Sequence, residues 1–313
     1  MNVDWIAVDW GSSRLRAWAC SSDGSVLQRV DSAKGAAGMA PEQFEPALLE
    51  LVEPWLAAGT STTVIACGMV GARLGWVEAP YSAVPCRPLS AERLIEAPVA
   101  DPRLRVFIIP GLSQSSPADV MRGEETQLAG VLAAQPAYRG LVCLPGTHCK
   151  WAQVQEGQVT EFRTFMTGEL YALLSQSSVL RHSLLPESGS DSDMGDGWDN
   201  HAFVDASRQA LDHPEQVWAE LFGLRAQGLL YRQPAATARA RLSGLLIGAE
   251  LAAARSLWQG RKITLVGNIG LPGLYLEALR AQDIEVQALN TQRTTLDGLR
   301  QVFALVTAEN RSQ

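Results

Sequence analysis

Lysine is scarce in this chain. Lys34, Lys150 and Lys262 are three among 26 basic residues, and 33 acidic residues outnumber them all. A formal net charge of −7, with the arginines scattered rather than striped, argues against a nucleic-acid partner. No apolar run approaches the roughly 20 residues that span a bilayer; "GLLIGAELAAA" is broken by Glu250, so no membrane association is expected. The opening "MNVDWIAVDWG" has neither a basic leader nor a long apolar core, and a cytoplasmic protein without a signal peptide is expected. Five cysteines (Cys20, Cys67, Cys86, Cys143, Cys149) form no CxxC pair, and the odd count fits reduced thiols. GxxxxGK[ST] and GxSxG are missing as well, which sets aside the P-loop NTPases and the serine-hydrolase elbow.

What is present suits a folded α/β protein. The 313 residues are 47% hydrophobic and 19% charged, too long a chain for one small core and suggestive of two lobes. "WIAVDWGSSRLRAWAC" reads as strand, tight turn, strand, and "SSDG" turns it into "SVLQRV". A helix is expected from Pro41 to near Gly59, with Pro46 and Pro54 as points of interruption. "TTVIACGMVG" and "RVFIIPGL" read as buried strands, and "DVMRGEETQLAGVLAA" as the opening of a helix. The layout then restarts: "GLVCLPGTHCKWAQVQEGQVTEFRTFMTG" repeats strand, glycine turn, strand, turn, strand, so a second lobe on the same plan is expected. Helices and strands alternate to the end, which predicts largely parallel sheets. The expected lobes are 1–135 and 136–313, sharing a cleft, with the closing helix packing back on the first.

Four stretches can carry chemistry. Asp9-Trp10-Gly11-Ser12-Ser13 ends a buried strand with an acid and a small-residue turn. Such a turn can hold a hydrated Mg²⁺ and offer backbone N–H groups to phosphate oxygens; the plainer alternative is a hairpin whose Asp caps its own turn. "CLPGTHCKW" has two readings. Cys143, His148 and Cys149 are soft ligands, but His148 and Cys149 are adjacent and no second pair stands nearby, as zinc would need. Gly146-Thr147 instead mirrors Gly11-Ser12 and fits a second phosphate turn, with Lys150 adding charge or facing solvent. In "DVMRGEETQLAG", Glu124 and Glu125 open a helix where the dipole favours carboxylates. Either is a candidate general base, or both merely stabilise the first turn; Arg122 beside them could bind an anion. "LVGNIGLPGLY" sets Gly267, Asn268 and Gly270 between strand and helix without matching GxGxxG. The acidic stretch 186–201 fails the spacing of a calcium loop and reads as solvated.

Two strand–turn–strand phosphate clamps with a glycine turn in the C-terminal lobe resemble the actin-like ATPase and sugar kinase superfamily, a two-lobed, ribonuclease H-like fold with an ATP cleft between the lobes. More narrowly, the chain resembles the 2-dehydro-3-deoxygalactonokinase family. The residues carrying this are "AVDWGSSRLRAW", "CGMVGARLGWVEAPY", "IPGL", "DVMRGEETQLAG", "LPGTHCKW", "FRTFMTGELYALL" and "LSGLLIGAE", in the family's order from Ala7 to Glu250. The resemblance implies ATP-dependent phosphorylation of the 6-hydroxyl of 2-dehydro-3-deoxy-D-galactonate in galactonate catabolism. It implies Asp9 as the Mg²⁺ ligand, and Gly11, Ser12, Ser13, Gly146, Thr147 and Lys150 at the ATP phosphates. Gly267, Asn268 and Gly270 would meet adenosine. Glu125 is the expected base, with Glu124 next. Arg14, Arg122 and Arg163 are candidates for the substrate carboxylate, or surface charges; Met69 and Trp76 either shape the sugar pocket or belong to the core. Alternatives are a kinase of the same fold for another sugar acid, such as 2-dehydro-3-deoxy-D-gluconate, and a non-catalytic nucleotide-binding regulator. A homodimer is compatible with the sequence, which does not fix the oligomeric state.

Overall fold

Strand alternation decides which way the first candidate residue points. In β1 (Trp5–Trp10) successive side chains take opposite faces. Ile6, Val8 and Trp10 join one apolar cluster with Phe44 and Leu48, while Trp5 and Ala7 join another with Cys67, Ala129 and Leu299. Asp9 has the parity of Trp5 and Ala7. A computed structural model describes residues 3–185, 197–267 and 269–312, and the chain separates into two compact units.

The first unit comprises 1–139, 153–162 and 290–313. After β1 come β2 (Leu15–Cys20), β3 (Val26–Ser32), β4 (Thr62–Gly68), β5 (Tyr81–Ala83), β6 (Ile95–Glu96), β7 (Leu104–Ile108), β8 (Gly111–Ser115) and β9 (Ala118–Met121). One sheet runs β3-β2-β1-β4-β7-β6, and β5-β8-β9 form a small second sheet. β1 is antiparallel to β2 and parallel to β4. The helix expected from Pro41 is shorter: α1 spans Phe44–Val52, between 3₁₀ turns at Pro41–Gln43 and Glu53–Trp55. Pro46 falls in the first turn, where a missing N–H is harmless, and Pro54 cannot continue the ladder. The segment from Asp119 also differs from expectation. Ala118–Met121 is strand, while α2 (Glu124–Ala134) opens with Glu124 and Glu125 as expected, after Gly123, whose φ of 104° an L side chain rarely adopts.

The second unit comprises 140–152 and 163–289. Its elements are β10 (Gly140–Leu144), the start of β11 (Cys149–Gln155), the end of β12 (Gln158–Phe165), α3 (Thr167–Gln176), α4 (Arg181–Leu184), α5 (Asn200–Asp212), α6 (Val217–Tyr231), α7 (Ala235–Ala253), α8 (Arg255–Trp258), β13 (Ile263–Val266), α9 (Leu271–Arg280) and β14 (Val286–Leu289). α10 (Thr291–Ser312) follows and belongs to the first unit. The five strands run β12-β11-β10-β13-β14, with β10, β13 and β14 parallel. In its own strand count this is third, second, first, fourth, fifth, the same order as β3-β2-β1-β4-β7. The repeated plan read from the sequence is therefore present in the strand order.

α5 and α7 touch at backbone distance. A Cβ on Gly248 would stand 2.2 Å from the Ser207 carbonyl oxygen, and one on Gly244 2.4 Å from that of Phe203. Backbone cannot yield as a flexible side chain does, so Gly248→Ala is expected to cost about 1–3 kcal/mol through overpacking. Thermal unfolding would read this as a lowered Tm; an unchanged Tm would mean the helices separate freely.

Candidate active site

The turn after Asp9 is held from below. Gly11 N donates to Arg14 O at 2.9 Å, while Ala36 N and Ala37 N donate to the carbonyls of Gly11 and Ser12 at 2.9 and 3.0 Å. An open cavity of about 210 Å³ lies here, lined by Asp9, Gly11, Ser13, Arg14 and Arg16. Arg16 Nη1 donates to Asp9 Oδ2 at 2.9 Å. Burial pushes the Asp9 carboxyl above its ordinary range, and Arg16 opposes that shift. Arg16 was not among the residues expected at the site. The hairpin register makes it the direct cross-strand partner of Asp9, so counting outward from the turn would have found it.

On the same sheet face stands the start of α2. Asp9 pairs with Cys67 across β1 and β4. The Cys67 thiol is held well above its usual range by burial first, then by the negative charges of Asp9 and Glu125. One buried thiol therefore lies within electrostatic reach of both candidate carboxylates. Glu125 is fully enclosed. Its Oε2 accepts from Gly123 N at 2.6 Å and its Oε1 from the Thr126 hydroxyl at 3.1 Å. Burial, helped by the charge of Glu124, pushes the Glu125 carboxyl up to about 8. Glu124 is half-buried and accepts from Arg122 N at 3.1 Å.

The other candidates of the first unit divide. Arg122 donates from Nη2 to Ala79 O at 2.8 Å and lies 4.4 Å over the Tyr81 ring. Its buried Nε and Nη1 have no acceptor among the described residues. Arg14 is mostly exposed and lies 3.7 Å from Asp31. Trp76 is core: it is buried beside Trp10 and Phe44, and its Nε1 donates to Pro98 O at 3.2 Å. Met69 is exposed at the end of β4.

In the second unit Gly146 and Thr147 lie between β10 and β11. Thr147 O accepts from Glu169 N at 2.9 Å, and His148 Nε2 lies 2.6 Å from Glu169 Oε2. Cys143 and Cys149 are buried in the apolar cluster of this unit with their Sγ atoms 3.9 Å apart. They pack as small hydrophobes, while His148 turns to Glu169. Lys150 is 4% exposed, so its solvent-facing alternative does not hold. Arg163 is half-buried on β12. Gly267 (φ 118°) donates to Leu289 O at 2.7 Å, and Gly270 (φ 66°) precedes α9. Asn268 lies outside the described residues, as does much of the acidic stretch, 186–196.

A family model described as 2-keto-3-deoxy-galactonokinase matches residues 9–302. The chain belongs to the 2-keto-3-deoxy-galactonokinase family. This kinase is 39% identical over 299 residues to a protein of Rhizobium meliloti (strain 1021) named as a 2-dehydro-3-deoxygalactonokinase, covering 94% of this chain and 95% of the relative. It is 36% identical over 306 residues to the 2-dehydro-3-deoxygalactonokinase of Escherichia coli (strain K12), with 96% and 98% covered. A crystal structure from Sinorhizobium meliloti, described under the same enzyme name, shares 37% identity at a TM-score of 0.86 over 96% of both chains. The two-lobed α/β fold of the kinase is accordingly that of the sugar kinases. No helix among the described residues is long and apolar enough to cross a membrane.

Proposed function

We propose that the residues around Asp9 and Glu125 carry ATP-dependent phosphorylation of 2-dehydro-3-deoxy-D-galactonate at its 6-hydroxyl, a step of galactonate catabolism. Family membership supplies the activity and the acceptor. The observation that carries the residue assignment is the meeting on one sheet face of Asp9, a cavity-lining small-residue turn and the glutamates that open α2.

Phosphoryl transfer asks the protein mainly to align the reactants and to neutralise charge. Gly11, Ser12 and Ser13 would hold ATP phosphate oxygens through backbone N–H groups and hydroxyls, as would Gly146 and Thr147, with Lys150 adding charge. Gly267 and Gly270 would let a flat nucleoside approach the backbone. The acceptor oxygen forms its bond to the γ-phosphorus as the bond to the bridging oxygen breaks, and ADP leaves with that electron pair. Glu125 would take the hydroxyl proton, Glu124 standing next as candidate. Among the three arginines, Arg122 is favoured as the partner of the substrate carboxylate, because its Nε and Nη1 are buried without an acceptor among the described residues. Gly71 keeps that edge clear, since a Cβ there would press to 3.0 Å from Nη1.

Mg²⁺ suits this donor set. Asp9 is a single carboxylate beside a phosphate turn, and no cluster of three metal-ligating side chains occurs among the described residues. Magnesium commonly binds through one or two carboxylates plus nucleotide phosphates and water. When bound, it would neutralise charge on the β- and γ-phosphates.

Purified protein supplied with ATP, Mg²⁺ and the deoxyketoacid should release ADP only when the sugar acid is present. ADP release that ignores the sugar acid would remove the assignment. Comparing kcat/KM for the galactonate and gluconate epimers reads specificity in the same assay.

A further inference from the structure

The motif "LSGLLIGAE" has two explained members and one unexplained. Gly244 and Gly248 let α5 approach α7; Glu250 does not touch that contact. It is 3% exposed on an otherwise apolar stretch of α7, and among the described residues no basic side chain pairs with it. Neutral donors converge on it instead, the Cys149 thiol among them. Trp151 Nε1 on β11 donates to Oε1 at 2.7 Å, while the hydroxyls of Thr167, first residue of α3, and Tyr275 on α9 both donate to Oε2.

Each donor belongs to an element next to a segment assigned above to the nucleotide. β11 begins two residues after Thr147. Thr167 precedes Gly168, where a Cβ would stand 2.4 Å from Gly146 O and 2.9 Å from Thr147 Cα, so this end of α3 lies directly against the turn. Tyr275 sits on the helix that starts after Gly270. A buried carboxylate held only by neutral donors is a costly way to gain stability, because burial favours its protonated form and well-packed apolar residues would serve as well. Its use is to specify one arrangement, since every donor must aim at the same two oxygens.

We propose that Glu250 is the positioning residue of the nucleotide half of the site, fixing the Gly146–Thr147 turn and the helix after Gly270 against one another through Trp151, Thr167 and Tyr275. This rests on assigning those two segments to ATP. Glu250 touches no reactant; it acts through the elements it holds.

Single-bond variants test it without removing the carboxylate. Thr167→Val and Tyr275→Phe should each raise the KM for ATP about tenfold while the KM for the sugar acid stays within about twofold, since each removes one of the hydrogen bonds that hold the two nucleotide segments together. Thr167→Ser, which keeps the hydroxyl, should restore the ATP KM. A merely structural role would instead lower Tm and active fraction with both KM values unmoved, and that result overturns the proposal. So does an equal rise in both KM values. Thr147→Ala separates the two layers of inference. If it raises the ATP KM while folded Thr167→Val and Tyr275→Phe do not, Glu250 loses its role. If Thr147→Ala is also silent, the phosphate-turn assignment falls and the proposal falls with it.

Discussion

Replacing Glu125 by glutamine is expected to lower kcat by about 10²–10⁴, the range a positioned proton acceptor contributes, with nucleotide binding intact. The substitution is close to isosteric. A glutamine carbonyl can still accept from Gly123 N, which now donates to Glu125 Oε2 at 2.6 Å, so the start of α2 should keep its cap. The pH profile supplies a second readout. The carboxyl is pushed up to about 8, first by burial and then by the charge of Glu124. A base works ionised, and the ionised fraction grows as pH rises through that value. Below about pH 8 the wild-type kcat/KM should therefore climb with pH, and the Glu125→Gln residue of activity should not follow that limb. Glu124→Gln removes one of the charges that raise the carboxyl, so the limb should move to lower pH with a smaller loss of kcat. The reverse pattern, collapse in Glu124→Gln and near-normal turnover in Glu125→Gln, would transfer the base to Glu124. That carboxylate is half-buried where Glu125 is fully enclosed.

Features governed by local periodicity were legible before any coordinates. The parity of "WIAVDW" places Asp9 opposite Val8, and the restart at "GLVCLPGTHCKW" announces the second sheet with its matching strand order. Glycine and proline were only partly legible. Gly123 precedes the helix that Glu124 opens, as its positive φ suits, and Pro54, an expected point of interruption, stands in the 3₁₀ turn where α1 stops short of Gly59. The readings left open, and the residue missed, depend on pairing across the fold. Arg16 meets Asp9 through hairpin register. Trp76 is claimed by Trp10 and Phe44, far apart in sequence. Lys150 lies in a strand whose neighbours on both sides are buried, which a charged residue in an alternating pattern does not announce. In the sequence Glu250 reads only as a break in an apolar run and the end of a motif. Its meaning requires Trp151, Thr167 and Tyr275 to arrive from 99, 83 and 25 residues away.

Asp9→Asn is expected to reduce turnover by about 10³ or more, in keeping with loss of a group that organises charge around a transferring phosphoryl. The competing explanation is that Asp9 serves only as the ion-pair partner of Arg16, and magnitude separates the two. The Arg16 side chain is 39% exposed and that of Asp9 19%, and an ion pair with one partner this open to solvent is worth about 0–1 kcal/mol. Losing it would change a rate about fivefold at most, since tenfold requires about 1.4 kcal/mol. Arg16→Ala breaks the same pair from the other side and keeps the carboxylate, so it should fall no more than about fivefold on that ion-pair account. If Asp9→Asn and Arg16→Ala lose activity equally, the ion pair is the whole role of Asp9 and its assignment to Mg²⁺ fails. If Asp9→Asn alone collapses, and excess Mg²⁺ partly restores it, the loss tracks the metal. A carboxamide oxygen is a poorer ligand than a carboxylate for a hard cation, so weakened occupancy rather than misfolding would explain that rescue.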